Sequence, residues 1–145
     1  MYRGREDPRL KPMAKLITVN INKISKAYPY SVTRKKRVIN DEVGGEKIVI
    51  FHDRGAASAL DKAEIALSRE DGSTGVFRRK LAGQLLTFSR KDETFVDDQT
   101  SSIWDITGRA IQGELKGKQL SPLVHGDYFA FAWLVFKPET KIYTD

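Results

Sequence analysis

The chain has 145 residues, with 25 Lys and Arg against 19 Asp and Glu, a net charge of +6, and no cysteine. That length suits one domain and a core large enough to fold without a staple. The missing cysteines exclude disulfides, thiolate metal sites and cysteine nucleophiles. The longest apolar run, Phe129 to Phe136, is eight residues against the roughly 20 needed to cross a bilayer, and the N-terminus lacks the apolar stretch of an export signal.

Residues 1–12 are rich in charge and proline and read as a flexible N-terminal arm, leaving 13–145 as a single globular β-rich domain. In Lys15 to Ile21, Ile17, Val19 and Ile21 alternate, which predicts a strand with one buried face. Asn22-Lys23 reads as a tight turn into a second strand, Ile24 to Tyr28, closed by Pro29. Ser31 to Arg37 is polar and basic and suits about one helical turn. Val38-Ile39 resumes the strand pattern. Gly44-Gly45 between apolar runs predicts a hairpin, because type I′ turns need positive φ at both centres. Lys47 to Phe51 is nearly all apolar, as in a strand covered on both faces.

At Leu60 to Ile65, Asp61 and Glu64 have capping-box spacing and predict a short helix from Lys62 to about Ser68. Strand patterns return at Gly75 to Leu81, Leu85 to Arg90 and Thr94 to Val96, followed by a turn at Gln99 to Ser102 and the run Ile103 to Ile106. Gly108, Gly113 and Gly117 then punctuate short pieces, which suits a closed or strongly bent sheet. Asp127 is placed to cap a helix in which Phe129, Ala132, Trp133 and Phe136 share one face, ended by Lys137-Pro138. Ile142-Tyr143 suits a last strand. The expected fold is mainly β, a bent or barrel-like antiparallel sheet with two short helices, that is, a β-rich α+β class.

Several segments together resemble the prokaryotic family catalogued as domain of unknown function 3179. They are Lys26-Ala-Tyr-Pro-Tyr30, Val38-Ile-Asn-Asp-Glu-Val-Gly-Gly45, Ser58-Ala-Leu-Asp61, Ser73-Thr-Gly-Val-Phe77 and Phe95-Val-Asp-Asp-Gln-Thr-Ser-Ser-Ile-Trp104. The likeness continues through Gly108-Arg-Ala, Val124-His-Gly-Asp127 and Phe131-Ala-Trp133. It spans about Asp7 to Tyr143 in family order and implies no established activity. Many relatives carry Trp-His-Glu and Cys-Pro-Leu-Cys where this chain has residues near Arg34 to Arg37 and His52 to Gly55. A metal or redox role suggested by those cysteines does not transfer to this Cys-free branch. Export signals in relatives hint at an extracytoplasmic home, although this chain shows none.

Three residues are candidates for catalysis. His125, in Val-His-Gly-Asp, exchanges protons near neutral pH, and Asp127 is placed to orient it; the plainer reading is a loop histidine bonded to backbone. Ser58 sits in a small-residue turn that offers an oxyanion pocket, but Gly-x-Ser-x-Gly is absent, and a turn serine bonded to backbone is the simpler role. Asp97, with Asp98 and Asp105, pairs carboxylates near Trp104, yet Val-Asp-Asp-Gln-Thr-Ser equally reads as a side-chain-capped turn. Trp104, Asp105 and Arg109 are candidates for ligand binding, with Arg109 as a charge partner. A shared site would have to bring Trp104, Asp97, His125 and Ser58 together.

No metal-ligand spacing or nucleotide loop is present, so no metal and no cofactor are expected. The basic runs Arg34 to Arg37 and Arg78 to Lys80 could hold a polyanion, but they lack interleaved aromatics and read as solvated surface. Nucleic acid is therefore disfavoured as a partner, while a small-molecule or protein ligand stays open. Three functions remain: a non-catalytic ligand-binding or structural module, which no catalytic constellation opposes; a hydrolytic or proton-transfer enzyme using His125 with nearby carboxylates; and a weak polyanion binder.

Overall fold

The computed structural model describes residues 14–53 and 73–143, without the side chains of residues 131, 135 and 136. The expected arm, Ser58 and the expected helix from Lys62 lie outside the described residues. The chain begins with a hairpin of β1 (Lys15–Ile21) and β2 (Ile24–Pro29), then α1 (Tyr30–Lys36), then a second hairpin of β3 (Val38–Val43) and β4 (Glu46–Asp53). Both hairpin turns follow the residues that named them: φ is positive at Asn22, Lys23, Gly44 and Gly45. The two turns touch, with Asn22 Nδ2 donating to the Gly44 carbonyl at 2.6 Å. A Cβ on Gly44 would run into the Ile21 carbonyl, so glycine is required there by space as well as by φ.

The remaining strands are β5 (Ser73–Arg78), β6 (Lys80–Leu81), β7 (Gln84–Leu85), β8 (Phe88–Lys91), β9 (Thr94–Asp97), β10 (Ile103–Trp104), β11 (Ala110–Gln112) and β12 (His125–Phe129). The helix α2 (Ala130–Phe136) and the strand β13 (Lys141–Ile142) end the described chain. One sheet has the order β12-β1-β2-β13, a second β3-β4-β5 and a third β11-β10-β9-β8, with β6-β7 a separate ribbon. Every pairing is antiparallel except β13 with β2. The fold is β-rich α+β as the sequence implies. The barrel-like alternative is corrected, because none of these sheets closes on itself.

Three cores separate the layers. Ile17, Val19 and Tyr28 of the first sheet meet Ile39, Ile48, Ile50 and Val76 of the second. The opposite face of the second sheet, Val49, Phe51 and Phe77, meets Phe88, Phe95 and Trp104 of the third. On the outer face of the first sheet, Leu16 and Ala27 pack with Ala130, Trp133 and Leu134 of α2. β4 lies between two cores, and that is why Ile48 to Phe51 are all apolar. The single buried face expected of β1 is also corrected. Leu16 to Val19 are all buried, because α2 covers the side that alternation assigned to solvent.

The C-terminal stripe differs as well. Phe129 is the last residue of β12 and 39% exposed, and Ala132 is exposed. The buried face of α2 is Ala130, Trp133 and Leu134. Trp133 Nε1 donates to Thr140 Oγ1 at 2.8 Å, which ties the helix to the turn after it. Asp127 does not cap α2, whose N-cap is Phe129 with no side-chain cap. The helix starts two residues later than the sequence suggests, and the strand β12, which the sequence reading did not include, carries the Asp127 carboxylate to the Tyr30 hydroxyl at 2.8 Å.

Candidate functional site

Asp97 and Trp104 come together. β9 ends at Asp97, and the chain reverses through Ser101, at φ +61, into β10. The Asp97 side chain is fully buried. It accepts the Thr100 N–H at 2.6 Å, the Thr100 hydroxyl at 2.8 Å, the Ser102 N–H at 3.0 Å and Trp104 Nε1 at 2.9 Å. Burying a carboxylate is costly unless such donors surround it, and charge-assisted bonds of this kind offset that cost. The hydroxyl of Ser102 in turn accepts the Leu115 N–H at 2.9 Å. Trp104 is 1% exposed with its edge on Phe88, so it lines no open surface. This knot fastens the third sheet.

Asp98 is exposed and accepts the hydroxyls of Thr87 and Ser89, both at 2.8 Å. Asp105 closes a turn, taking the Thr107 N–H at 2.9 Å and the Arg109 N–H at 3.2 Å on Oδ1. Arg109 therefore serves Asp105 through its backbone. Among the described residues no ion pair joins its guanidinium to that carboxylate.

His125 stands elsewhere. It lies on β12 opposite Val19, half-buried, with Nδ1 3.4 Å from the Leu123 carbonyl. Asp127, two residues along the same strand, shares its face, and its carboxylate is engaged by Tyr30. The whole second sheet separates His125 from Asp97 and Trp104. Of the four residues a shared site would need, the structure brings together two, and Ser58 lies outside the described residues.

Two buried polar groups were not singled out from the sequence. His52, on β4, is fully buried, with Nδ1 2.7 Å from the Thr33 hydroxyl and its ring edge-on to Tyr30 at 5.1 Å. Thr33, His52, Tyr30 and Asp127 thus form a polar seam from β4 across α1 to β12. The signal was a histidine continuing the alternation of Ile48 and Ile50. Arg79 is the other. Its Nε donates to the Ile48 carbonyl at 2.7 Å, and its two Nη atoms donate to the carbonyls of Leu86 and Asp41 at 3.1 Å each. Burial lowers its pKa, opposed by the charges of Asp41 and Glu42.

Asp41 joins the first and second sheets. Its Oδ2 accepts the Tyr28 hydroxyl at 2.7 Å and pairs with the Lys26 ammonium at 2.8 Å. Burial pushes the Asp41 carboxyl up, but the bonds from Lys26, Tyr28 and the Glu42 backbone outweigh it and lower the pKa. For Tyr28, burial followed by the bond to Asp41 raises the phenol well above its ordinary range.

Reading the basic runs as solvated surface needs correction at two positions. Arg37 is buried and its Nη1 reaches the His52 carbonyl at 3.4 Å, while Arg79 is the buried residue just described. Arg78 pairs with Glu46 at 3.2 Å. Val38 faces Phe51 and Arg78 faces Ile48, so the two runs sit toward opposite ends of β4. Among the described residues no three His, Asp or Glu side chains are grouped to hold a metal ion, and no helix is long and apolar enough to cross a membrane.

Neither a curated protein nor a solved structure matches the chain significantly. The family described as "Protein of unknown function (DUF3179)" matches residues 1–140. That match covers the hairpins, the Asn40-Asp41 junction, the Asp97 knot and the β12–α2 segment in one stretch, and the chain belongs to this family.

Proposed function

We propose that the chain is a non-catalytic binding or structural module. The observation that carries this reading is where its polar chemistry goes. Asp97 holds four donors, Asp105 closes its own turn, Asp127 takes Tyr30, and Arg79 holds three carbonyls. A general base needs a lone pair within reach of a substrate proton, whereas these side chains are directed at the fold. The test is a panel of chromogenic esters, amides and phosphate esters, run with the wild type and with His125→Asn. The module reading expects no turnover that distinguishes the two. Turnover that His125→Asn abolishes at unchanged melting temperature would replace it with the hydrolytic reading.

A further inference from the structure

Two arginines are buried to the same degree, Arg79 at 7% exposure and Arg37 at 8%. Arg79 directs all three of its side-chain nitrogens at carbonyls. Arg37 does not. Its Nη1 reaches the His52 carbonyl at 3.4 Å, longer than an ordinary N–H···O bond. Its Nε and Nη2 find no acceptor among the described residues, and no carboxylate there forms an ion pair with it. Arg90 Nη1 is the one buried side-chain nitrogen or oxygen left without a partner among the described residues, so Nε and Nη2 of Arg37 are not enclosed and reach solvent.

The backbone holds this side chain in place. The Arg37 N–H donates to the Thr33 carbonyl at 2.7 Å, and its own carbonyl accepts the His52 N–H at 2.9 Å, so α1 and β4 grip the residue from both sides. Its φ is +68, a conformation that suits glycine and is costly for other residues. Nothing in that backbone asks for arginine. What arginine adds is the guanidinium, and residues held against such a cost cluster at sites of function.

We infer that Arg37 is an anion-binding residue whose Nε–Nη2 edge takes a carboxylate or phosphate group in a two-pronged bond. This rests on the module reading above and names the ligand class that such a module would bind. Nε–H and Nη2–H are parallel and spaced to meet two oxygens of one anion, in bonds strengthened by charge on both partners. The contact of Nη1 with the His52 carbonyl sets the direction of the fork. Arg34, Lys35 and Lys36 are exposed on the last turn of α1 and add a positive field that draws anions to the same end of the helix. A single oxyanion, rather than a long polyanion, suits a guanidinium that is mostly covered and offers one edge.

Titration with inorganic phosphate and with acetate at constant ionic strength, followed by heteronuclear NMR at the Arg37 Nε–H and at the Val38 and His52 amides, tests this. The expected result is a saturable shift with a dissociation constant of about 1 mM, the range of weak ligands, and the tighter of the two anions identifies the ligand group. Arg37→Lys keeps the charge but loses the fork, and should weaken the amide response at least about tenfold. Arg37→Gly suits the backbone, should fold, and should abolish the response. Replacing Arg34, Lys35 and Lys36 together by Gln should keep the affinity within about threefold, because peripheral charges steer more than they bind. An Arg37 Nε–H indifferent to both anions, an amide response unchanged in Arg37→Lys, or a response lost only in the triple variant would each overturn the inference. None of these results touches the module reading, which falls only to turnover that depends on His125.

Discussion

The side-chain amide of Asn40 bonds the backbone of Phe88 in both directions: Nδ2 donates to the Phe88 carbonyl and the Phe88 N–H donates to Oδ1, each at 2.8 Å. One residue of β3 thereby does for β8 what a neighbouring strand would do. It couples the second sheet to the third where no ladder connects them. Asp41, the next residue, turns to the opposite face and holds the first sheet through Tyr28 and Lys26. The Asn40-Asp41 pair is therefore a junction among three sheets.

Asn40→Ala should lower stability by about 1–2 kcal/mol, the net worth of two bonds of this kind. Hydrogen exchange at the Phe88 amide should accelerate more than at neighbouring amides of β8. Unchanged protection at Phe88 would show that the bridge is not formed in solution.

Arg79→Lys keeps the charge but cannot direct donors at three separate carbonyls, because the guanidinium fork is planar and the ammonium is a point. A loss of about 1–3 kcal/mol is expected from the carbonyls left unpaired. A denaturation midpoint equal to the wild type would mean that charge alone suffices.

Asp41 links stability to pH. Its folded pKa lies below the unfolded value of 3.8, so the group contributes stability that is present above about pH 4 and lost as pH falls through the folded value. Denaturant midpoints should therefore drop between pH 5 and the acid limit by less in Lys26→Met than in the wild type. Parallel curves for the two proteins would count against the link.

The turns and the central strand were legible because their causes are local. Gly44-Gly45 names its own φ, and the run from Ile48 to Phe51 is dense enough to require two covering layers. The burial of Leu16 and Thr18 was not legible, since alternation reports one face and says nothing of a helix that arrives from 110 residues later. Phe129 fits a helical period and a strand end equally well, and pairing with Lys15 decided for the strand. The capped-turn reading of Asp97 matches its bonds, whereas Arg79 was hidden in a charged tripeptide. Only tertiary packing distinguishes its burial from the exposure of Arg78.

The ring of Phe77 is wedged between two glycines, and a Cβ on Gly108 would lie 2.6 Å from it. Gly117 has a similar positive φ with open space around it. Gly108→Ala and Gly117→Ala should both lose about 1–2 kcal/mol to the left-handed backbone, and Gly108→Ala about 1–3 kcal/mol more from overpacking. Equal midpoints for the two variants would remove the Phe77 contact from the account.

The denaturation midpoint of Asp97→Asn tests most directly whether the polar groups of this chain serve its fold. An amide puts an N–H₂ among four donors, so about 1–3 kcal/mol of stability should be lost, with earlier exposure of Trp104 fluorescence. A carboxylate kept for chemistry behaves in the opposite way, because sites held for activity are commonly strained and their removal leaves stability intact or improves it. An Asp97→Asn protein as stable as the wild type, or more so, would contradict the structural role assigned to Asp97.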